Sequence, residues 1–173
     1  QKLGVFFETS KLKFLKLDFD ACGRSPIGDD GVVAISKALP NTLETFVFNL
    51  MGCHGVSDKS LETISKQLRH WSSLRDFDLG CFACHDISDI GGMILAEELP
   101  LSTLERFALD LRGTSVTEKC IAAMISEKLV NIDWYFQLGD TTKHIDSLDA
   151  LREWQQQQAL AGAAGSALRT CKK

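Results

Sequence analysis

Cys81-Phe82-Ala83-Cys84-His85 is the stretch of this chain with the most conspicuous chemical potential. A Cys-x-x-Cys-His run is the spacing that attaches a c-type haem, two thiols forming thioethers while the imidazole ligates iron. A second arrangement invites a metal: Cys53-His54 and Cys84-His85 repeat the same dipeptide, with Cys81 close by. Structural zinc needs four such ligands converging tetrahedrally. Against both stands a regularity, because Cys22, Cys53 and Cys84 are spaced 31 and 31 residues apart. Equally spaced thiols are expected to form a file of small buried side chains rather than to converge on one ion. The expectation is therefore no haem, no zinc and no cofactor, with a Cys/His metal or redox protein as the alternative reading.

Other catalytic patterns are weaker still. Ile27-Gly28-Asp29-Asp30-Gly31 and Asp89-Ile90-Gly91-Gly92 lack the lysine and the spacing of a phosphate-binding loop, and are read as strand-to-helix turns. His54, His70, His85 and His144 have no evident carboxylate partner and are read mostly as surface residues. No serine or cysteine stands in a recognisable triad, so no enzyme is expected.

The elements that carry these residues repeat. Four phrases begin at Leu12, Leu43, Leu74 and Leu104, separated by 31, 31 and 30 residues: Leu12-Lys-Phe-Leu15-Lys-Leu17-Asp-Phe19, Leu43-Glu-Thr-Phe46-Val-Phe48-Asn-Leu50, Leu74-Arg-Asp-Phe77-Asp-Leu79-Gly-Cys81 and Leu104-Glu-Arg-Phe107-Ala-Leu109-Asp-Leu111. A shortened fifth begins at Leu129. Alternating apolar residues within each phrase predict a strand with one buried face. Downstream, Val32/Ile35/Leu39, Leu61/Ile64/Leu68 and Leu95/Leu99 fall three or four apart, the period of a helix face. Asp29, Asp58 and Asp89 open these helices, where free N–H groups favour a carboxylate, and Pro40 and Pro100 mark exits.

A unit of about 30 residues cannot bury both its faces alone, whereas stacked units share a core. On the phrases Leu17-Asp-Phe-Asp-Ala-Cys22, Ile27-Gly-Asp-Asp-Gly31 and Cys53-His-Gly-Val-Ser-Asp58, the chain resembles the leucine-rich-repeat family in its ribonuclease-inhibitor-like, NOD-like-receptor-type class. Cysteine stands where that family typically has asparagine. The resemblance covers residues 12 to 138 and implies an α/β solenoid, a curved parallel sheet with helices on the convex side and four to five rungs. Residues 1–11 would form an N-terminal extension or cap, 12–140 the repeats, and 141–173 a C-terminal capping helix with an Ala/Gly-rich tail. In that segment Ile145, Leu148, Leu151 and Trp154 would form a helical stripe, and residues 159–173 would order against a partner chain.

In the family the concave sheet face is the usual ligand surface. Strand alternation exposes Lys16, Asp18 and Asp20, then Asn49 and Met51, then Asp78 and Phe82, then Asp110 and Arg112, then Tyr135. These residues and Trp154 are the candidate partner contacts, a polar field with apolar anchors of the kind protein interfaces use. The expected function is a non-catalytic protein-protein interaction module, an adaptor or accessory subunit of a larger assembly. A regulatory repeat fragment of a larger receptor-like protein is a further alternative.

A formal net charge of −4 without long Lys/Arg runs argues against nucleic acid and anionic lipid as partners. No apolar run approaches the roughly 20 residues of a membrane span, and neither a secretory signal nor a lipid anchor is expected. Abundant cysteine without a disulfide pattern favours a reducing intracellular compartment.

Overall fold

In the computed structural model, residues 11–20, 27–99, 102–117, 131–138 and 141–147 are described, with further positions at 120, 123, 149, 150, 152–154, 156 and 157. The N-terminal segment, Cys22, Pro100, Leu129, Leu148, Leu151 and residues 159–173 lie outside them.

Each repeated phrase is a strand: β1 (Phe14–Asp18), β2 (Thr45–Asn49), β3 (Asp76–Gly80), β4 (Arg106–Asp110) and β5 (Asn131–Leu138). Each of the three apolar helical patterns is a helix: α1 (Asp29–Ala38), α2 (Asp58–Leu68) and α3 (Asp89–Glu98). The strands form an open sheet in sequence order, β1 to β5 parallel and in register, so that Leu17, Phe48, Leu79, Leu109 and Trp134 stand side by side. The architecture is thus α/β with a mostly parallel sheet, and α1, α2 and α3 pack in a row against one another.

Strand alternation sets the inner face. Phe46, Phe48, Phe77, Leu79 and Phe107 are fully buried, in one core with Val32, Leu61, Ile64 and Leu95 of the helices. Phe46, Phe77 and Phe107 stack as a file, with centroids 5.4 and 5.6 Å apart, and Trp134 meets Phe107 edge-on at 6.2 Å. Among the described residues β1 pairs on one side only, with β2, and Leu15 and Leu17 are half-buried there.

Two expectations are corrected. The sheet has a sixth strand, β6 (Thr141–Ile145), antiparallel to β5, where the sequence reading placed the start of the capping segment. Two residues, Gly139 and Asp140, separate the strands, a connection suited to a hairpin, and Thr141, Thr142 and Ile145 are β-branched. The supposed glycine turns also end earlier than expected. Gly31, Gly91 and Gly92 are inside the first turns of α1 and α3, and a Cβ on Gly91 would lie 2.6 Å from the Asp58 carboxylate. Glycine there serves close helix packing.

The aspartates that open the helices stand in the first turn and do not cap them. The N-caps are Gly28, Ser57 and Ser88, and each aspartate reaches forward to the next repeat. Asp29 accepts from the Ser57 N–H at 2.9 Å and hydroxyl at 2.7 Å; Asp58 does so from Ser88 at 2.7 and 2.6 Å; Asp89 from Thr117 at 2.6 and 2.7 Å. This second ladder joins the helix starts as the β-ladder joins the strands.

After β2, β3 and β4 one loop position takes a left-handed conformation: Gly52 at φ 69°, Ala83 at 58° and Gly113 at 70°. A Cβ on Gly52 would meet nothing within 4 Å, so its cost there is purely conformational. A left-handed alanine costs roughly 1–2 kcal/mol and its stiffer unfolded chain returns about 0.5. Gly52→Ala is therefore expected to lose about 1 kcal/mol and Ala83→Gly to gain about as much, read as opposite shifts of the urea midpoint. Equal midpoints would show that loop strain is relaxed elsewhere.

Candidate functional site

The outer sheet face is a grid. Its first row runs Phe14, Thr45, Asp76, Arg106, Asn131; its second Lys16, Val47, Asp78, Ala108, Asp133; its third Asp18, Asn49, Gly80, Asp110, Tyr135. Over the second and third rows lies a cavity of about 290 Å³, lined among others by Lys16, Asp18, Asn49, Met51, Asp78, Asp110, Arg112 and Tyr135. Eight of the eleven candidate residues are thus brought together. Val47, Gly80, Ala108, Leu109 and Asp133 also line it.

The other three fall elsewhere. Phe82 sits beyond the rim at 36% exposure, 5.3 Å from the Arg112 guanidinium carbon. Asp20 is exposed in the turn after β1, where its N–H donates to Asp18 Oδ1 at 3.1 Å. Trp154 is a correction. It is 7% exposed and belongs to the core cluster that includes Trp134 and Ile145, because so large an apolar ring gains more by covering the end of the core than by facing water.

Charges on this face are mostly paired locally. Arg112 binds Asp110 through Nε at 2.9 Å and Nη2 at 2.5 Å, and lies between Phe82 and Tyr135, 5.1 Å from the latter. Hydrogen bonding to Asp110 holds its pKa above the ordinary arginine value. Arg106 binds Asp76 at 2.6 Å, and Asn49 bridges to Asp18 at 3.1 Å. Strand-end side chains also fix the loops, Asn49 accepting from the Met51 N–H and Asp110 from the Arg112 N–H, both at 3.1 Å.

Asp78 is the exception. Among the described residues it makes no hydrogen bond or ion pair, because its neighbours across the sheet are Val47 and Ala108 and the next outward residue is Gly80. Burial raises its pKa, Asp76 and Asp133 add to this, and Arg106 and Lys16 oppose it.

His144 was missed by the sequence reading, which had no sixth strand to place it. Its ring stacks on Tyr135 at 4.2 Å and its Nε2 lies 2.7 Å from Asp133 Oδ1. The antiparallel register opposite Tyr135 brings it there.

The Cys-x-x-Cys-His run is arranged otherwise than haem attachment requires. Cys81 and Cys84 are completely buried, and Cys84 Sγ donates to the Leu50 carbonyl at 3.2 Å. Cys53 makes the equivalent, longer contact to the Phe19 carbonyl at 3.9 Å. A hydrogen bond to Cys84 and burial together raise the Cys81 pKa well above the thiol range. His54 and His85 are exposed and stack on each other at 5.9 Å, so each points away from the cysteine before it. Among the described residues, no three His, Cys, Asp or Glu side chains are grouped to hold a metal.

No described helix is long and apolar enough to cross a membrane. Neither a protein-family model nor a curated protein matches the chain.

Proposed function

We propose that the chain is a leucine-rich-repeat solenoid of the ribonuclease-inhibitor-like class, and a non-catalytic module that binds a protein partner through its outer sheet face. It would serve as an adaptor or accessory subunit of a larger assembly. The observation that carries this reading is the cavity on the sheet, where two outward positions from each of five parallel strands meet the Phe82–Arg112–Tyr135 stack. Aromatic residues and arginine are the side chains that dominate interface energies. Here the arginine is already held by Asp110, so little conformational entropy remains to be lost on binding. The buried thiols Cys53, Cys81, Cys84 and Cys120 favour a reducing compartment for this work.

A photo-crosslinking residue placed at position 82 tests the reading in extracts of the native source, against one at Ile90, which is 69% exposed on α3. The expected result is a crosslinked partner from position 82 and none from 90, with capture lost in Asp18→Lys/Asp78→Lys at unchanged melting temperature. Capture that survives the double charge reversal excludes the sheet face as the principal interface.

A further inference from the structure

We infer that the sheet face receives a lysine or arginine side chain carried on an extended segment of the partner, its charged head against Asp78 and its stem over Val47, Gly80 and Ala108. This rests on the sheet-face reading above and names the chemistry of the partner.

The inference starts from the charge pattern of the grid. Five carboxylates, Asp18, Asp76, Asp78, Asp110 and Asp133, share the face with three permanent cations, Lys16, Arg106 and Arg112. Asp76 is held by Arg106, Asp110 by Arg112, and Asp133 by His144, while Lys16 lies 3.8 Å from Asp18. Among the described residues, the carboxylate of this face left without a hydrogen-bonding partner is therefore at the middle strand, on Asp78. A partly buried carboxylate without a hydrogen-bond donor is costly, and a donor of opposite charge is the group that offsets this cost best. Burial raises the Asp78 pKa, as a carboxyl short of such a donor should show.

Shape agrees with charge. The residues directly beside Asp78 are a valine, an alanine and a glycine, the nearest long cation, Arg106, is held by Asp76 at 2.6 Å, and the space above them is part of the cavity. An apolar floor beneath an acidic group suits the methylene stem and charged head of lysine or arginine. The lining extends from β1 to β5, four strand spacings of about 4.8 Å, or roughly 19 Å. An extended chain of about six residues crosses that distance, which favours a strand-like peptide over a compact cation.

Pools of heptapeptides with random flanks and a fixed central lysine, arginine, norleucine or glutamate, immobilised and probed with the intact protein, test this directly. Lysine and arginine pools are expected to retain about tenfold more protein than norleucine, and glutamate least, the worth of a charge-assisted hydrogen bond. Asp78→Asn should reduce the lysine pool to the norleucine level, and Asp30→Asn, on α1, should leave it unchanged. Asp78 has no bond within the described residues, so its variant is expected to melt at or above the wild-type temperature. Equal retention on norleucine and lysine, or a lysine preference that survives Asp78→Asn, overturns the inference. If all pools bind alike and Tyr135→Ser abolishes binding, the sheet-face reading stands and the cation does not. Failure of every pool to bind overturns both. A dimer in sedimentation that Phe82→Asp dissolves, without discrimination among pools, assigns the face to a second copy and overturns the inference.

Discussion

Replacing Phe77 by alanine is expected to lower the unfolding free energy by about 4 kcal/mol, the largest single-residue effect in the core. Phe77 is fully buried in the middle of the aromatic file, stacked on Phe46 at 5.4 Å and on Phe107 at 5.6 Å, with Trp71 edge-on at 6.0 Å. Truncation removes the apolar area of the ring, two stacked contacts worth roughly 0.5–1.5 kcal/mol each, and the support of both adjacent strands. The cavity left between rigid repeats cannot collapse without breaking strand register. Phe14, in the same type of phrase but 58% exposed on β1, is the control, and Phe14→Ala should cost less than about 0.5 kcal/mol. Urea denaturation of both variants measures the difference. A Phe77→Ala loss below about 2 kcal/mol would mean that adjacent repeats do not share one continuous core.

The second large effect concerns the aspartate ladder. Asp29→Ala is expected to destabilise by about 3 kcal/mol, since it removes three charge-assisted hydrogen bonds, from the Ser57 N–H, the Ser57 hydroxyl and the Ser60 hydroxyl at 2.6 Å. The neighbouring Asp30, whose side chain is 97% exposed and pairs with Lys59, should tolerate alanine within about 0.5 kcal/mol. The pH dependence follows from the pKa of Asp29. Burial acts to raise it, but hydrogen bonds from Ser57 and Ser60 and the charge of Lys59 outweigh burial and leave it below the ordinary aspartate value. A carboxyl with a depressed folded-state pKa contributes stability that is complete above its unfolded value, about 3.9, and is lost as pH falls through the folded value. The gap between wild type and Asp29→Ala should therefore be constant from pH 7 to about 5 and shrink below about 4. A gap that persists unchanged to pH 2 would mean that the ionised carboxylate is not what joins the two repeats.

Much of the architecture was legible because strands and helices write different periods into the chain. Phe46, Phe48, Phe77, Leu79, Phe107 and Leu109 alternate, and they are buried; Leu61, Ile64 and Leu68 follow the helical period, and they are buried too. The common spacing of the phrases implied that equivalent residues pair, as the β-ladders do. The same alternation put Lys16, Asp18, Asn49, Asp78, Asp110 and Tyr135 on one face, which is where the cavity lies. The inward cysteine positions were legible for the same reason, since a spacing of one repeat assigns one environment.

Other features have no periodic signature. β6 follows a two-residue connection and pairs antiparallel, so it interrupts the repeat and was read as part of a cap; with it went the stack of His144 on Tyr135. A helical stripe alone does not say which side is covered, and only the packing against the core shows that Trp154 is turned away from solvent.

Hydrophobic period and fixed spacing are properties of the chain alone, and they set which residues turn inward and which repeat. Which partner each polar group finds was decided by the tertiary structure. Asp29 lies closer in sequence to its own helix N-terminus than to Ser57, yet parallel stacking brings the Ser57 hydroxyl to 2.7 Å. Asp78 reads like every other outward aspartate in the repeat, and stacking alone set it between valine and alanine, without the cation that its neighbours possess.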